Sequence, residues 1–202
     1  MKANVGMRYA VAAVVDTYTP YSGITYEDGF VVGEARGANV TFETEDGEFR
    51  GDDAVLDTAR GVLGYTIELE TAGMHDDVRA SLLGEVIDTS DVYHITGAEA
   101  PDVGVGYVKQ MREDDDEGVV ETTWEAFWYH KLKFGQPNEE ARTKERSMEW
   151  RAPTITGTGA GVYLDANADQ PDYAEHKTFS TFADAKSFLN TKAGISDSAA
   201  TT

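Results

Sequence analysis

Apolar and polar residues alternate along several stretches of the chain, as they do in strands that bury one face. The clearest alternation covers residues 62–71, where Tyr65, Ile67 and Leu69 face one way while Thr66, Glu68 and Glu70 face the other. Comparable alternation predicts further strands over residues 8–16, 103–112, 119–134 and 147–158. The pattern is typical of a mainly β protein.

Two segments instead have the spacing of short helices. Asp76 and Asp77 stand where carboxylates favour the first turn of a helix, and Gly84 provides a left-handed stop. A second helix is indicated near the C-terminus by a capping box in which Thr181 is followed three residues later by Asp184. The apolar faces of the two helices would comprise Val78, Leu82 and Leu83, and Phe182, Ala185, Phe188 and Leu189, respectively.

These elements predict an antiparallel β-sandwich or half-barrel with one short docked helix and a C-terminal helix. No linker rich in Pro or Gly divides the chain, so residues 1–195 form a single predicted domain. Residues 196–202 are small and polar, and we expect them to form a disordered tail.

A long polar segment, residues 44–60, separates two of the predicted strands. Its few apolar residues predict a loop, and long loops inside compact domains are often either functional or disordered. The loop is therefore either a mobile acidic connection or an arm that contacts another subunit. A second acidic segment, residues 113–118, is followed by a strand and predicts a solvated hairpin turn, because its spacing does not match a calcium loop.

The predicted strand over residues 119–134 is the most aromatic part of the chain. Strict alternation would place Trp124, Ala126, Trp128, His130, Leu132 and Phe134 on one face, which looks like core. The other face carries Phe127, Tyr129, Lys131 and Lys133 together with Glu125. That face would pack under a helix, contact another subunit, or hold a sugar or base by stacking.

Charge and composition argue against some classes of function. The chain has 202 residues, no cysteine and a formal net charge of −20. Such a chain repels phosphate backbones, so sequence-specific DNA binding is not expected. Solubility or a salt-loving host would suffice to explain the charge. No apolar run reaches the ~18 residues of a membrane span.

No catalytic or metal-binding pattern is present. The four histidines, at positions 75, 94, 130 and 176, have no metal-ligand spacing, and the Gly-rich residues 157–161 lack the Lys-Ser/Thr ending of a phosphate loop. Paired carboxylates for a hydrolase are possible by number alone, but sequence does not give their distance. We therefore predict no catalytic residues, no cofactor and no metal.

Residues 49–84, FRGDDAVLDTARGVLGYTIELETAGMHDDVRASLLG, resemble the core pattern of the phi13-type major tail proteins of long-tailed bacteriophages. In that family an aromatic residue and an Asp-Asp pair precede a Gly-containing strand, and a short helix ending in Leu-Gly follows. One difference is His75, where the family often has Pro at the helix start. The matching positions are Phe49, Asp52, Asp53, Gly61, Gly64, Tyr65, Asp77, Leu83 and Gly84.

The resemblance implies a structural virion protein, made in the host cytoplasm, whose subunits form stacked, hexameric rings in the phage tail tube. Its expected partners are copies of itself and the tape-measure, tail-terminator and distal tail proteins. Genomic DNA would pass through the lumen without specific binding. The loop joining one ring to the next would contain Glu45, Asp46, Glu48, Phe49, Arg50, Asp52 and Asp53.

The alternative from another class is a carbohydrate-binding β-sandwich that uses its Trp and Tyr faces as stacking platforms. Such a module would be monomeric and would bind glycans, whereas the tail-tube hypothesis requires self-assembly.

Overall fold

The computed structural model describes residues 2–51, 54–114, 120–137 and 154–196. For residues 2, 35, 46–51, 54–60 and 114 it describes only the backbone. Within these ranges the chain forms ten strands and two helices. In chain order they are β1 (Lys2–Thr19), β2 (Gly23–Gly33), β3 (Ala35–Gly51), β4 (Ala54–Thr71), α1 (Asp76–Leu83), β5 (Val86–Ile87), β6 (Tyr93–His94), β7 (Val103–Asp114), β8 (Val120–Phe134), β9 (Thr154–Gly159), β10 (Ala174–Phe179) and α2 (Phe182–Ala193).

Eight of the strands form one antiparallel sheet. Its order is β2-β1-β7-β8-β9-β4-β3, and β10 pairs with β8 as a branch. Strands β5 and β6 form a separate two-stranded sheet after α1. The prediction of a mainly β, antiparallel sandwich or half-barrel with a short docked helix and a C-terminal helix is confirmed.

Both faces of the sheet are covered, as β1 shows. Ala10 and Ala12 belong to one apolar cluster, while Val11 and Ala13 belong to another, and all four are fully buried. Because successive strand residues point to opposite faces, the two clusters lie on opposite sides of the sheet. The first cluster contains Tyr65, Ile67, Leu69 and the α1 residues Val78, Leu82 and Leu83, and the second contains Trp128 and the α2 residues Ala185, Leu189 and Ala193.

The helix ends follow from the residues that the sequence offers there. Helix α1 begins after His75, carries Asp76 and Asp77 in its first turn, and ends at Gly84, whose φ is 70°. At the start of α2, the Oγ1 of Thr181 accepts a hydrogen bond from the Asp184 backbone N–H (3.2 Å) and donates one to Asp184 Oδ2 (2.6 Å). The predicted capping box is confirmed. Neither described helix has the length and apolarity that crossing a membrane requires.

The predicted loop over residues 44–60 is wrong. Residues 44–51 continue β3 and residues 54–60 begin β4, and the two strands pair from Asp46–Arg60 to Gly51–Ala54. The scarcity of apolar residues suggested a loop, but the described residues of the two strands are joined by backbone pairing, which needs no apolar alternation. The predicted disordered tail lies outside the described residues except for Ser196. Of the acidic turn predicted over residues 113–118, residues 113 and 114 belong to β7 and the others lie outside the described residues, as do residues 147–153.

Glycines in β9 make room for large side chains from neighbouring strands. Gly159 is the pairing partner of Tyr65, and a Cβ at Gly159 would lie 2.5 Å from Tyr65 Cε1. The Tyr65 side chain is fully buried and donates a hydrogen bond to the Lys131 carbonyl (3.0 Å). A side chain at Gly159 would therefore displace a ring that joins β4 to β8.

We expect Gly159→Ala to lower the free energy of unfolding by about 1–3 kcal/mol, the usual cost of overpacking a core. The matched control is Gly6→Ala in β1, because a Cβ there would meet no heavy atom within 4 Å. Urea unfolding followed by circular dichroism measures both variants. Equal midpoints for the two would contradict this role of Gly159.

Candidate functional site

The most distinctive feature of the fold is a β-hairpin that extends beyond the sheet. Strand β9 pairs with β4 only from Tyr65 to Glu70. Among the described residues, the remainder of β4, from Ala54 to Gly64, pairs only with β3. We call residues 44–51 and 54–62 the projecting hairpin. At about 3.3 Å per residue, its two strands extend roughly 36 Å past the last β9 pair.

Its surroundings show that the projecting hairpin leaves the body of the subunit. Residues 41–45 and 61–63, at its base, are all exposed, and a Cβ at Gly61 would meet no heavy atom within 4 Å. An isolated two-stranded hairpin is marginally stable in water, and its outer edges carry unpaired N–H and C=O groups. Such an element gains stability by contact with another molecule.

The residues predicted for a stacking loop all lie on or beside this hairpin. Glu45 is exposed in β3, and the backbones of Asp46, Glu48, Phe49 and Arg50 pair with Arg60, Thr58, Asp57 and Val55. Asp52 and Asp53 lie outside the described residues, between Gly51 and Ala54. The role of these residues in joining one ring to the next stays a prediction.

Three exposed apolar side chains surround the base of the hairpin. Phe42, Val62 and Leu63 are 45%, 39% and 60% exposed, and we call them the apolar collar. The Phe42 ring lies 6.0 Å from the ring of Tyr65 and 6.3 Å from that of Tyr173. The Tyr173 hydroxyl donates a hydrogen bond to the Val62 carbonyl (2.6 Å), which fixes the hairpin base against the subunit.

Sequence reasoning missed the apolar collar, although a signal was present. Val62 and Leu63 are adjacent, and adjacent strand residues point to opposite faces. One of two adjacent aliphatic residues is therefore exposed unless both faces of the strand are covered. Beyond the end of β9 neither face of β4 is covered at these two positions, and both side chains are exposed.

The residues predicted to form a packing or subunit-contact face all lie on β8, and each makes contacts within the subunit. They are Phe127, Tyr129, Lys131 and Lys133. Phe127 stacks between Tyr107 (5.6 Å between ring centroids) and His176 (5.4 Å). Tyr129 is buried, and its hydroxyl lies 3.1 Å from the Tyr107 hydroxyl. Burial raises the pKa of Tyr129, so the phenol stays neutral.

The two lysines of this set form ion pairs at the surface. Lys131 lies 3.3 Å from an Asp102 carboxylate oxygen, and Lys133 pairs with Glu99. The hydrogen bond from Lys133 lowers the pKa of Glu99, and the same bond raises the pKa of Lys133. Because these groups are exposed, solvent screens the pairs, and they orient side chains more than they stabilise the fold.

The alternation predicted along β8 breaks near its C-terminal end. Val105 pairs with Tyr129 but Val103 pairs with Leu132, so β8 carries one extra residue there, as in a β-bulge. Leu132 and Phe134 consequently belong to the apolar cluster that contains Tyr129 and the α1 residues. They do not belong to the cluster that contains Trp128 and the α2 residues. The face that packs under helix α2 is the one carrying Ala126 and Trp128, opposite Phe127 and Tyr129.

The histidines do not converge on one place. His75 precedes α1, His94 lies 3.4 Å from Asp88, and His176 stacks on Phe127. His130 is 3% exposed, and its Nε2 lies 3.8 Å from Asp172 Oδ1. Across the part of the chain that the structure describes, no three His, Asp or Glu side chains are placed to hold a metal ion.

No family model and no curated protein matches this chain. The projecting hairpin, the apolar collar and the resemblance in residues 49–84 are therefore the features that bear on function.

The burial of His130 predicts a pH dependence of stability. Desolvation lowers the pKa of His130 below its ordinary value of 6.5, so the unfolded chain binds this proton more readily than the folded chain. The free energy of unfolding should fall as the pH drops below 6.5. In urea titrations across this range, His130→Gln should show a flatter pH dependence than the wild type. Parallel curves would contradict the expectation.

Proposed function

We propose that this protein is a structural subunit that assembles with copies of itself into stacked rings, forming the tail tube of a long-tailed bacteriophage. The observation that carries the proposal is the projecting hairpin, which pairs with no other described strand and has an exposed apolar collar at its base. Both features have the chemistry of a surface that a neighbouring subunit covers.

The resemblance and the fold support the proposal together. The positions that resemble the tail-protein pattern fall on connected elements: Phe49 in β3, Gly61, Gly64 and Tyr65 in β4, and Asp77 and Leu83 in α1, followed by Gly84. They therefore include the projecting hairpin and the helix α1 that follows the other end of β4. A contact between different surfaces that does not close on itself gives an open filament, which is the geometry of stacked rings.

In the proposed tube the negative charge of the subunits repels DNA. A net charge of −20 per subunit opposes binding of phosphate backbones, so genomic DNA passes through the lumen without specific contacts. The tape-measure, tail-terminator and distal tail proteins are the further partners, and the virion is the location after synthesis in the host cytoplasm. A six-subunit ring comes from the resemblance alone. The proposal assigns no catalytic role to the chain.

The described tryptophans favour this function over carbohydrate binding. Trp128 is fully buried beneath α2, and the Trp124 ring packs 5.1 Å from Phe182 with the Arg8 guanidinium 5.5 Å above it. A sugar-stacking platform needs an open aromatic face. Neither side chain offers one.

Shortening the projecting hairpin should abolish tube growth and leave the folded subunit intact. Glu45 and Gly61 are pairing partners, so residues 46–60 can be replaced by a two-residue Asn-Gly turn without changing register. Negative-stain electron microscopy should show hollow rings or tubes for the wild type and no tubes for the variant. Urea unfolding checks that the body is unchanged. Tubes formed by the shortened variant would remove the hairpin from the stacking contact.

A change in the apolar collar should weaken assembly without affecting the fold. Leu63→Ser replaces a side chain that is 60% exposed, so the free energy of unfolding should change by no more than about 0.5 kcal/mol. The matched control is Ile95→Ser, which is 61% exposed and lies just after β6. Sedimentation of assembled material should decrease for Leu63→Ser only. Equal losses for both variants would contradict a specific role of the collar.

A further inference from the structure

A cavity of about 520 Å³ lies at the C-terminal end of α2, outside the proposed assembly surface. It is open to solvent on one side and is lined by the first residues of β2, the middle of β8, the start of β10 and the end of α2. Its size falls within the range of about 300–1,000 Å³ that is usual for small-molecule sites. The lining residues with polar or aromatic side chains include Tyr26, Trp128, His130, Glu175, Thr191 and Lys192.

Two lining residues are fully engaged with each other and with the backbone. The Tyr26 hydroxyl donates a hydrogen bond to the His130 carbonyl (2.9 Å) and accepts one from Trp128 Nε1 (3.1 Å). The two rings meet edge to face, with centroids 5.0 Å apart. They form a fixed aromatic wall and leave recognition of a ligand to the other polar groups.

The remaining polar groups are mostly hydrogen-bond acceptors. The His130 side chain is 4% exposed, and its Nε2 has no hydrogen-bond partner among the described residues. Glu175 contributes a carboxylate, with its Oε1 buried. Thr191 and Gly194 also line the cavity, so it lies at the carbonyl end of α2, where a helix favours positive charge.

One cation already lies in this environment. Lys192 Nζ lies 2.5 Å from Glu175 Oε1, and the two side chains remain 37% and 35% exposed. The pair is therefore open enough to rearrange. A second cation that entered the cavity would compete with Lys192 for the same carboxylate.

We propose that this cavity binds an alkylammonium or alkylguanidinium group. The carboxylate of Glu175 and the end of α2 attract the positive charge, His130 accepts one of its hydrogen bonds, and the Tyr26–Trp128 wall contacts its alkyl part. The group belongs either to a free amine or to a basic side chain of a partner protein. The site is independent of the tube-forming role.

Binding is measured by NMR on the full chain, with the Trp128 indole N–H and the His130 ring as reporters inside the cavity. The probes are methylguanidinium, a free diamine and an amide-capped arginine, each titrated to millimolar concentrations. All three should shift both reporters. Stronger binding of the capped arginine than of the diamine indicates a protein side chain as the natural occupant, and the reverse indicates a free amine.

Variants with opposite expected effects make the test decisive. Glu175→Gln should weaken methylguanidinium binding about tenfold, because a charged hydrogen bond is lost. The control Glu27→Gln makes the same change on β2 outside the cavity lining and should leave affinity unchanged. Lys192→Met should tighten binding, because it removes the competing cation.

Three results would overturn the proposal. One is the absence of reporter shifts with every probe. Another is an equal effect of Glu175→Gln and Glu27→Gln, which would indicate nonspecific attraction to an acidic protein. The third is weaker binding in Lys192→Met, because a site in which the lysine itself recognises the ligand would select anions.

Discussion

Strand β8 is the element on which the rest of the fold depends, because it pairs with three other strands. On one edge it pairs with β7 from Val120 to Leu132, and on the other it pairs first with β10, from Trp124 to Tyr129, and then with β9, from Leu132 to Phe134. The extra residue between Tyr129 and Leu132 separates the segment paired with β10 from the segment paired with β9. It lets one strand supply Trp128 to the cluster under α2 and Leu132 and Phe134 to the cluster under α1.

The position of the projecting hairpin follows from this change of partner. Strand β9 pairs with β8 at only three positions, and β4 is held in turn by its pairing with β9. Gly157 and Gly159 lie at these pairs and leave space for Leu132, Phe134 and Tyr65. The packing of large side chains over two small residues therefore sets the direction in which the hairpin leaves the sheet.

The sequence predicts the elements whose signals are local. The alternation around Tyr65 and the capping box at Thr181 were both interpreted correctly, because burial of one face and satisfaction of helix N–H groups act within a few residues. The paired strands at residues 44–60 were missed because this segment lacks apolar alternation, whereas the two strands are joined by backbone pairing. The faces of β8 were misassigned beyond Tyr129, since an inserted residue reverses every later side chain. The cavity beside His130 depends on four elements brought together by tertiary packing.

Long-range electrostatic repulsion between such acidic subunits would oppose their assembly, and short-range contacts would favour it. At physiological ionic strength the Debye length is about 8 Å, so exposed charges farther apart than this are largely screened. In the proposed assembly, contacts of the apolar collar and of the hairpin edges with another subunit act at van der Waals and hydrogen-bond distance, where salt screens little. On this proposal, a subunit with a net charge of −20 stays dispersed at low ionic strength and associates through these surfaces as salt rises. In the proposed tube, the charge keeps subunits and DNA apart at a distance, while the hairpin and its collar decide which surfaces join.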